Sequence, residues 1–317
     1  MPDTPANVPE AYAGAVLTID LDAVVANFRL LSDKLSNSSM SAVVKANGYG
    51  LGVGPVATAL AGAGCRVFYV AHIEEGIALR QILNDTADNE FVQAEIHILG
   101  GLMPGAEDAY DASRLTPVLG SLDEIHNWKR YCDRLDRQLP CDIHADTGML
   151  RLGLAPDEIE KLADEPSRLD GLNIVNVISH LASSDEPDSA KNTEQLDAYR
   201  KFREQIAQGR ASFANSSGIF LGPDYHFDQV RPGAALYGIA PVPGSPNPMA
   251  QVVRLQGKIV QVRAVDTPQT VGYGASHRIE GPGRIATVPV GYADGYLRSL
   301  SNRGTGYIGN IPVPVVG

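Results

Sequence analysis

Apolar and polar positions along this chain follow two regimes that change near residue 241. From about residue 41 to residue 237, short apolar, β-branched runs alternate with stretches of helical period. Eight runs read as strands buried on both faces: Ser41–Lys45, Val67–Ala71, Glu95–Leu99, Thr116–Gly120, Asp142–Ala145, Ile174–Ser179, Ser212–Asn215 and Asp228–Val230. Ser121-Leu122-Asp123-Glu124 reads as a capping box that opens a helix with Ile125, Trp128, Cys132 and Leu135 on one face. A second helix is predicted from Thr193 to Gln208, with Leu196, Tyr199 and Phe202 inward and Gly209 ending it. Repeated strand-then-helix order implies a parallel sheet with right-handed crossovers. Eight such units in about 200 residues predict a (β/α)8 TIM-type barrel. No Gly-x-Gly-x-x-Gly follows the first strand, which counts against a dinucleotide fold.

Pro241-Val242-Pro243-Gly244-Ser245-Pro246-Asn247-Pro248 then interrupts any regular element. Beyond it, Val252 to Val262 alternates with β-branched residues, and Val288-Pro289-Val290 and Ile311 to Val316 follow between glycine-rich turns. That predicts a C-terminal all-β domain. Ala15-Val16-Leu17-Thr18-Ile19-Asp20 reads as a further strand, one that could join this second domain. The resulting division is an N-terminal tail over 1–14, a barrel over 15–240 and a β domain over 241–317. Gly317 closes the sequence on an apolar, strand-like segment, which predicts a β domain that is incomplete, truncated at its C-terminal end.

Bulk chemistry narrows the partners. The 317 residues carry 37 acidic against 26 basic side chains, a formal charge of −11. Such a balance disfavours nonspecific binding to nucleic acid or anionic membranes. No apolar run approaches a membrane span, and residues 1–14 lack the pattern of a signal peptide. Cys65, Cys132 and Cys141 are odd in number and form no Cys-x-x-Cys pair, which points to reduced thiols and a cytoplasmic protein. No metal site is expected.

In a barrel of this kind, polar residues at the C-terminal ends of strands point into the active site. That position selects Lys45, Arg151, His180, Ser216 and Arg231 after strands one, five, six, seven and eight. Lys45 ends a buried strand and opens Lys45-Ala46-Asn47-Gly48-Tyr49-Gly50-Leu51-Gly52, where glycines permit a tight turn close to a ligand. A lysine held there can lose its proton by desolvation and become a nucleophile. The loops Ala214-Asn215-Ser216-Ser217-Gly218 and Arg231-Pro232-Gly233-Ala234 offer small residues and free backbone N–H groups suited to a phosphate. Each residue has a plainer reading. Lys45 alone would be a surface lysine, an arginine at a rim a surface ion pair, His180 a core histidine, and Asn215-Ser216 a helix cap. Their joint placement selects the site.

Several strings together resemble the alanine racemase family of fold type III pyridoxal phosphate enzymes. They are Val43 to Gly52, Asp146-Thr147-Gly148-Met149-Leu150-Arg151-Leu152-Gly153, Ala214-Asn215-Ser216, Arg231-Pro232-Gly233-Ala234-Ala235-Leu236-Tyr237-Gly238, Val271-Gly272-Tyr273-Gly274 and Gly291-Tyr292-Ala293-Asp294-Gly295. The resemblance implies two-base interconversion of L- and D-alanine, supplying D-alanine for peptidoglycan. By it, Lys45 carries pyridoxal 5′-phosphate and is one base, and Tyr273 is the other, reaching the site of a partner subunit in a homodimer. Tyr49, Asn215, Ser216 and the backbone at Gly233 and Ala234 would hold the phosphate. Arg231 would face the pyridine nitrogen, Arg151 the cofactor hydroxyl and the substrate carboxylate, and His180 would link Tyr273 to Arg231. Tyr292 would narrow the substrate entrance.

The chain departs from the family pattern at two places. His144 stands where many members have a carbamate-modified lysine that orients the arginine corresponding to Arg151. A neutral imidazole orients it less strongly, so an anion, another side chain or a looser Arg151 is expected. The sequence also stops at Gly317, before the family's Arg-x-x-Met-Asp segment. Other readings stay open: a racemase of broader amino-acid range, since pocket volume discriminates by only about 1–3 kcal/mol per methylene, and a non-enzymatic pyridoxal phosphate binding protein.

Overall fold

A computed structural model describes residues 10–86 and 91–316. The chain divides into two compact units, Ile19–Val252 and Met1–Thr18 with Val253–Gly317. In the first, strands β2 (Ser39–Met40), β3 (Ala42–Val43), β4 (Val67–Val70), β5 (Glu95–Ile98), β6 (Thr116–Leu119), β7 (Pro140–His144), β8 (Asn173–Ile178), β9 (Arg210–Ser212) and β10 (Gln229–Val230) form one parallel sheet. Its order, β2-β10-β9-β8-β7-β6-β5-β4-β3, begins and ends on neighbouring stretches of chain. β2 and β3 are two halves of one strand parted at Ser41, whose N–H donates to Val230 O at 3.1 Å. The sheet therefore closes on itself as the eight-stranded barrel that strand-helix alternation predicts.

Helices cover it with the expected faces. Ser121 caps Leu122–Leu135, its Oγ accepting from Glu124 N at 3.2 Å, and the helix buries Ile125, Trp128 and Cys132. The Glu124 carboxylate also accepts from Gly120 N at 2.6 Å and Leu102 N at 2.9 Å, tying two loops together. The later helix runs Ala190–Gln205 and buries Leu196, Tyr199 and Phe202.

The division between units falls at Val252, not at the proline-rich stretch from 241 that the residue pattern marks as the start of the β domain. Hydrogen bonds give the reason. Asn27, on the first barrel helix Leu21–Ser32, donates to Leu236 O (3.2 Å) and Ala250 O (3.1 Å) and accepts from Ala250 N (2.7 Å), so the linker is held to the barrel. Conversely, β1 (Ala15–Ile19) pairs with β11 (Val253–Gly257), which places the segment through Thr18 in the β unit. The tail assigned to 1–14 lies, through residue 9, outside the described residues. In the β unit, β12 (Gln261–Val265) pairs with β15 (Gly283–Thr287), β13 (Gln269–Val271) with β14 (His277–Ile279) and β16 (Thr305–Ile308) with β17 (Ile311–Pro314), all antiparallel. Val265 is its one buried hydrophobic among the described residues, while Leu255, Ile259, Val260, Val262, Tyr307, Ile308 and Ile311 are exposed.

The barrel interior is polar along much of its length. Arg210 donates to Asn176 Oδ1 (2.9 Å) and Glu95 Oε2 (2.5 Å), and His97 bridges Glu95 Oε2 (3.2 Å) and Asp142 Oδ2 (2.8 Å). Asn176 Nδ2 donates to Asp142 Oδ1 (2.8 Å) and Tyr69 Oη (3.2 Å), and Tyr69 Oη donates to Gln229 Oε1 (2.9 Å). Burial alone would strip the proton from His97, but Asp142 and Glu95 outweigh it and raise the imidazole to about 9. Glu95 is likewise opposed by burial yet held down to about 2 by His97 and Arg210.

The folded-state proton on His97 contributes roughly 2–3 kcal/mol of stability. Because its folded value lies above the ordinary 6.5, the contribution is complete below that pH and disappears as pH rises through about 9. His97→Gln is therefore expected to destabilise the protein more at about pH 6 than at about pH 9.5. Denaturant unfolding of both proteins at the two pH values measures the difference.

Candidate active site

Lys45 follows the closing strand and opens a helical turn, Lys45–Tyr49, of the wrong hand for L-residues. Ala46 (φ 53°, ψ 47°), Asn47 (54°, 50°) and Gly48 (64°, 45°) are left-handed, and Tyr49 follows at φ 56°. Gly48 N donates to Val44 O at 2.9 Å and Gly50 N to Ala46 O at 2.8 Å, so the bonding is that of an α-helical turn in mirror image. Each non-glycine residue held this way costs about 1–2 kcal/mol, and local contacts offset it. Asn47 Oδ1 accepts from Val53 N at 2.9 Å, and Tyr49 stacks on Tyr237 with ring centroids 4.5 Å apart. Glu75 Oε1 accepts from Ala46 N at 2.6 Å.

Opposite this turn, the loops after β9 and β10 meet at Ser216. Its buried Oγ accepts from Gly233 N at 3.0 Å and Ala235 N at 3.1 Å, leaving the hydroxyl proton to donate. Gly233 is needed for close approach, since a Cβ there would come within 2.2 Å of the Tyr49 hydroxyl. A hydroxyl pair and clustered backbone N–H groups at this spot match the donor set of a phosphate dianion. Ala234 opens the short 3-10 turn Ala234–Tyr237 beside them. Asn215 takes the capping alternative, its Oδ1 accepting from Gly218 N (2.9 Å) and Ser184 Oγ (2.8 Å).

Arg231 is buried, with its guanidinium 5.9 Å from the centre of the Tyr69 ring. It donates to Ser212 Oγ at 2.6 Å and to the Ser179 carbonyl. Arg151 rides on the loop after β7, shaped by Asp146, whose Oδ1 accepts from Gly148 N and Met149 N, both at 2.8 Å. Burial pushes the Asp146 carboxyl up, but these N–H donors hold it below its usual range. A cleft lined by His144, Asp146, Met149, Arg151, Ser179 and His180 opens here.

The electrostatics are those of a cationic pocket. Burial, then Arg151, lowers the Lys45 ammonium from its ordinary value, while Glu75 opposes them. Burial and Arg231 push His144 down to about 3, and burial with Arg231 and Arg151 takes His180 well below its normal range. Both imidazoles are neutral. Among the described residues no carboxylate lies within ion-pair distance of Arg151 or Arg231. The His144 imidazole is uncharged and so does not hold Arg151 by charge, and Arg151 is exposed.

The barrel thus gathers Lys45, Tyr49, Arg151, His180, Asn215, Ser216, Arg231, Gly233 and Ala234 at the C-terminal ends of its strands. Tyr273 and Tyr292 belong to the β unit, where both are exposed. Sequence reasoning missed Glu75, Ser179, Ser212 and Tyr69. Glu75 carried a legible signal, as the third residue of the helix Ile73–Asn84, where a carboxylate favours backbone N–H groups.

The family model described as "Alanine racemase, N-terminal domain" matches residues 19–241, and "Alanine racemase, C-terminal domain" matches residues 252–317. An alanine racemase of Rhodospirillum rubrum is 48% identical over 309 residues, covering 97% of this chain and 81% of that protein. A catabolic alanine racemase of Mesorhizobium japonicum is 48% identical over 291 residues, covering 92% and 74%. Among solved structures, the alanine racemase of Bartonella henselae with covalently bound pyridoxal phosphate superposes with a TM-score of 0.89 at 40% identity, covering 96% of this chain and 83% of that one.

Gly233→Ala is expected to cost about 1–3 kcal/mol by overpacking against Tyr49. Tyr49→Phe removes the oxygen at 2.2 Å and should recover part of the loss. A double-mutant cycle by chemical denaturation reads the coupling.

Proposed function

The chain belongs to the alanine racemase family, and we propose that Lys45 and Tyr273 are the two bases with which it interconverts L- and D-alanine. It is an alanine racemase dependent on pyridoxal 5′-phosphate. The observation that carries the residue assignment is the meeting of three features at one barrel mouth: a lysine with a lowered proton affinity, the Ser216–Gly233–Tyr49 cradle and a buried arginine.

These residues suit the cofactor. Ser216, Tyr49 and the backbone at Gly233 and Ala234 would hold its phosphate, Asn215 shapes that loop, and Arg231 would face the ring nitrogen. When bound, pyridoxal phosphate supplies an electron-withdrawing ring that makes the α-proton of an amino acid labile. Arg231 would donate to the ring nitrogen without giving up its proton, since a guanidinium is deprotonated only above about pH 12. An arginine at that position would favour prompt reprotonation of the substrate over side reactions. Arg151 holds the substrate carboxylate, and Tyr292 narrows the entrance.

Inversion requires proton transfer on two faces of the α-carbon. In one direction Lys45 Nζ takes the proton and Tyr273 Oη returns one; in the other the roles exchange. His180, neutral among cations, accepts a hydrogen bond without adding charge and links Tyr273 to Arg231. The enantiomers of alanine have equal free energy, so supply and demand set the direction of flux. D-alanine production for peptidoglycan is the primary reading. The word catabolic in the names of two relatives favours a role in alanine breakdown as the second.

We further propose a homodimer in which Tyr273 serves the partner's site. A β unit with one buried hydrophobic and a row of exposed ones is the kind of surface a second copy covers. A cytoplasmic location accords with the absence, among the described residues, of any helix long and apolar enough to cross a membrane.

In deuterated water with pyridoxal phosphate and L-alanine, α-proton exchange should accompany D-alanine formation. Tyr273→Phe should lose turnover by about 100-fold or more while retaining cofactor, and Lys45→Ala should lose covalent cofactor attachment. Exchange without inversion, or wild-type turnover in Tyr273→Phe, would overturn the two-base assignment.

A further inference from the structure

Glu75 lies in none of the motifs that define the site. It sits at the start of the helix Ile73–Asn84, just beyond β4, and its carboxylate is nearly filled by backbone donors. Oε1 accepts from Ala46 N at 2.6 Å, and Oε2 accepts from Ala71 N at 2.7 Å and His72 N at 3.2 Å. One side chain thus fastens the first left-handed residue after Lys45 to the end of the neighbouring strand. Without that anchor, Ala46 would keep its unfavourable backbone angles with one fewer contact to hold them.

The same carboxylate answers an electrostatic need. Three groups face the Lys45 amine, each from a different element: Arg151 after β7, neutral His180 after β8, and Glu75 after β4. Arg151 drives the amine towards its neutral form, and Glu75 is the one of these groups that holds the proton on. We propose that Glu75 is a positioning residue for Lys45: it locks the Lys45–Ala46 peptide in the left-handed turn and supplies the negative charge that balances the cations around the amine. The proposal rests on Lys45 being the cofactor lysine.

Two substitutions separate the roles. Glu75→Gln removes the charge and leaves a single acceptor oxygen, with an NH2 facing backbone N–H groups. Glu75→Asp keeps the charge and shortens the reach. The full chain is freed of cofactor, its fold checked by thermal unfolding, and its covalent capture of pyridoxal 5′-phosphate followed by absorbance across pH. Release of the captured cofactor is then measured separately.

For Glu75→Gln the capture profile should move to lower pH. Below the midpoint, the rate relative to its plateau should rise about threefold or more, because there it scales with the fraction of amine that has lost its proton. Release should quicken in both variants, by roughly tenfold, as an anchor to the turn is weakened. For Glu75→Asp the midpoint should stay near that of the parent. An unchanged or raised midpoint in Glu75→Gln overturns the proposal even if release quickens, because lost hydrogen bonds alone would act on release. Should Glu75→Gln fail to fold, Glu75→Asp carries the test, and unaltered release there overturns the proposal. Lys45→Ala is run alongside. Covalent capture persisting in it would refute Lys45 as the cofactor lysine and leave the Glu75 result without that premise, so the two failures are told apart.

Discussion

A lysine amine is held half-buried among cations at the mouth of the barrel, and much of this molecule can be understood from that constraint. Desolvation disfavours the ammonium form of Lys45, and the guanidinium of Arg151 adds to it. The cations gathered at this mouth therefore also lower the proton affinity of the amine. The cost is a cluster of like charges at one barrel mouth. It is moderated by keeping His144 and His180 neutral, and by placing the nearby carboxylates where backbone N–H groups use up their lone pairs.

The barrel supports this cluster from below. Arg231 finds a hydroxyl, a carbonyl and the face of Tyr69 instead of a carboxylate. Tyr69 in turn belongs to the buried chain through Asn176, Asp142 and His97. A partly satisfied network would be worse than an apolar core, and here Gln229 Nε2 is the one member left without a partner. The floor of the site is thus fixed by bonds that a shift of any one member would strain.

Fold class was legible because several barrel strands, such as Val67–Val70 and Thr116–Leu119, are short runs buried along their whole length. Lys45, Arg151 and Arg231 were legible from their place after such runs. Two things were hidden. The handedness of the turn at Ala46 and Asn47 leaves no composition signal beyond the neighbouring glycines, because alanine takes that conformation only under tertiary constraint. The attachment of the linker to the barrel was hidden because it is made by Asn27, more than 200 residues away in sequence. Long-range partners of single polar side chains cannot be read from local pattern.

The left-handed turn carries one more implication. Ala46 occupies backbone angles that are the mirror image of the common helical ones. They are therefore the resting conformation of the opposite enantiomer. In a chemically synthesised chain, D-alanine at this single position would keep the backbone and its bond to Glu75 while removing about 1–2 kcal/mol of steric strain. An enzyme whose product is a D-amino acid thus contains, one residue past its reactive lysine, a site where that product's chirality would fit better than the L-residue that ribosomal synthesis supplies.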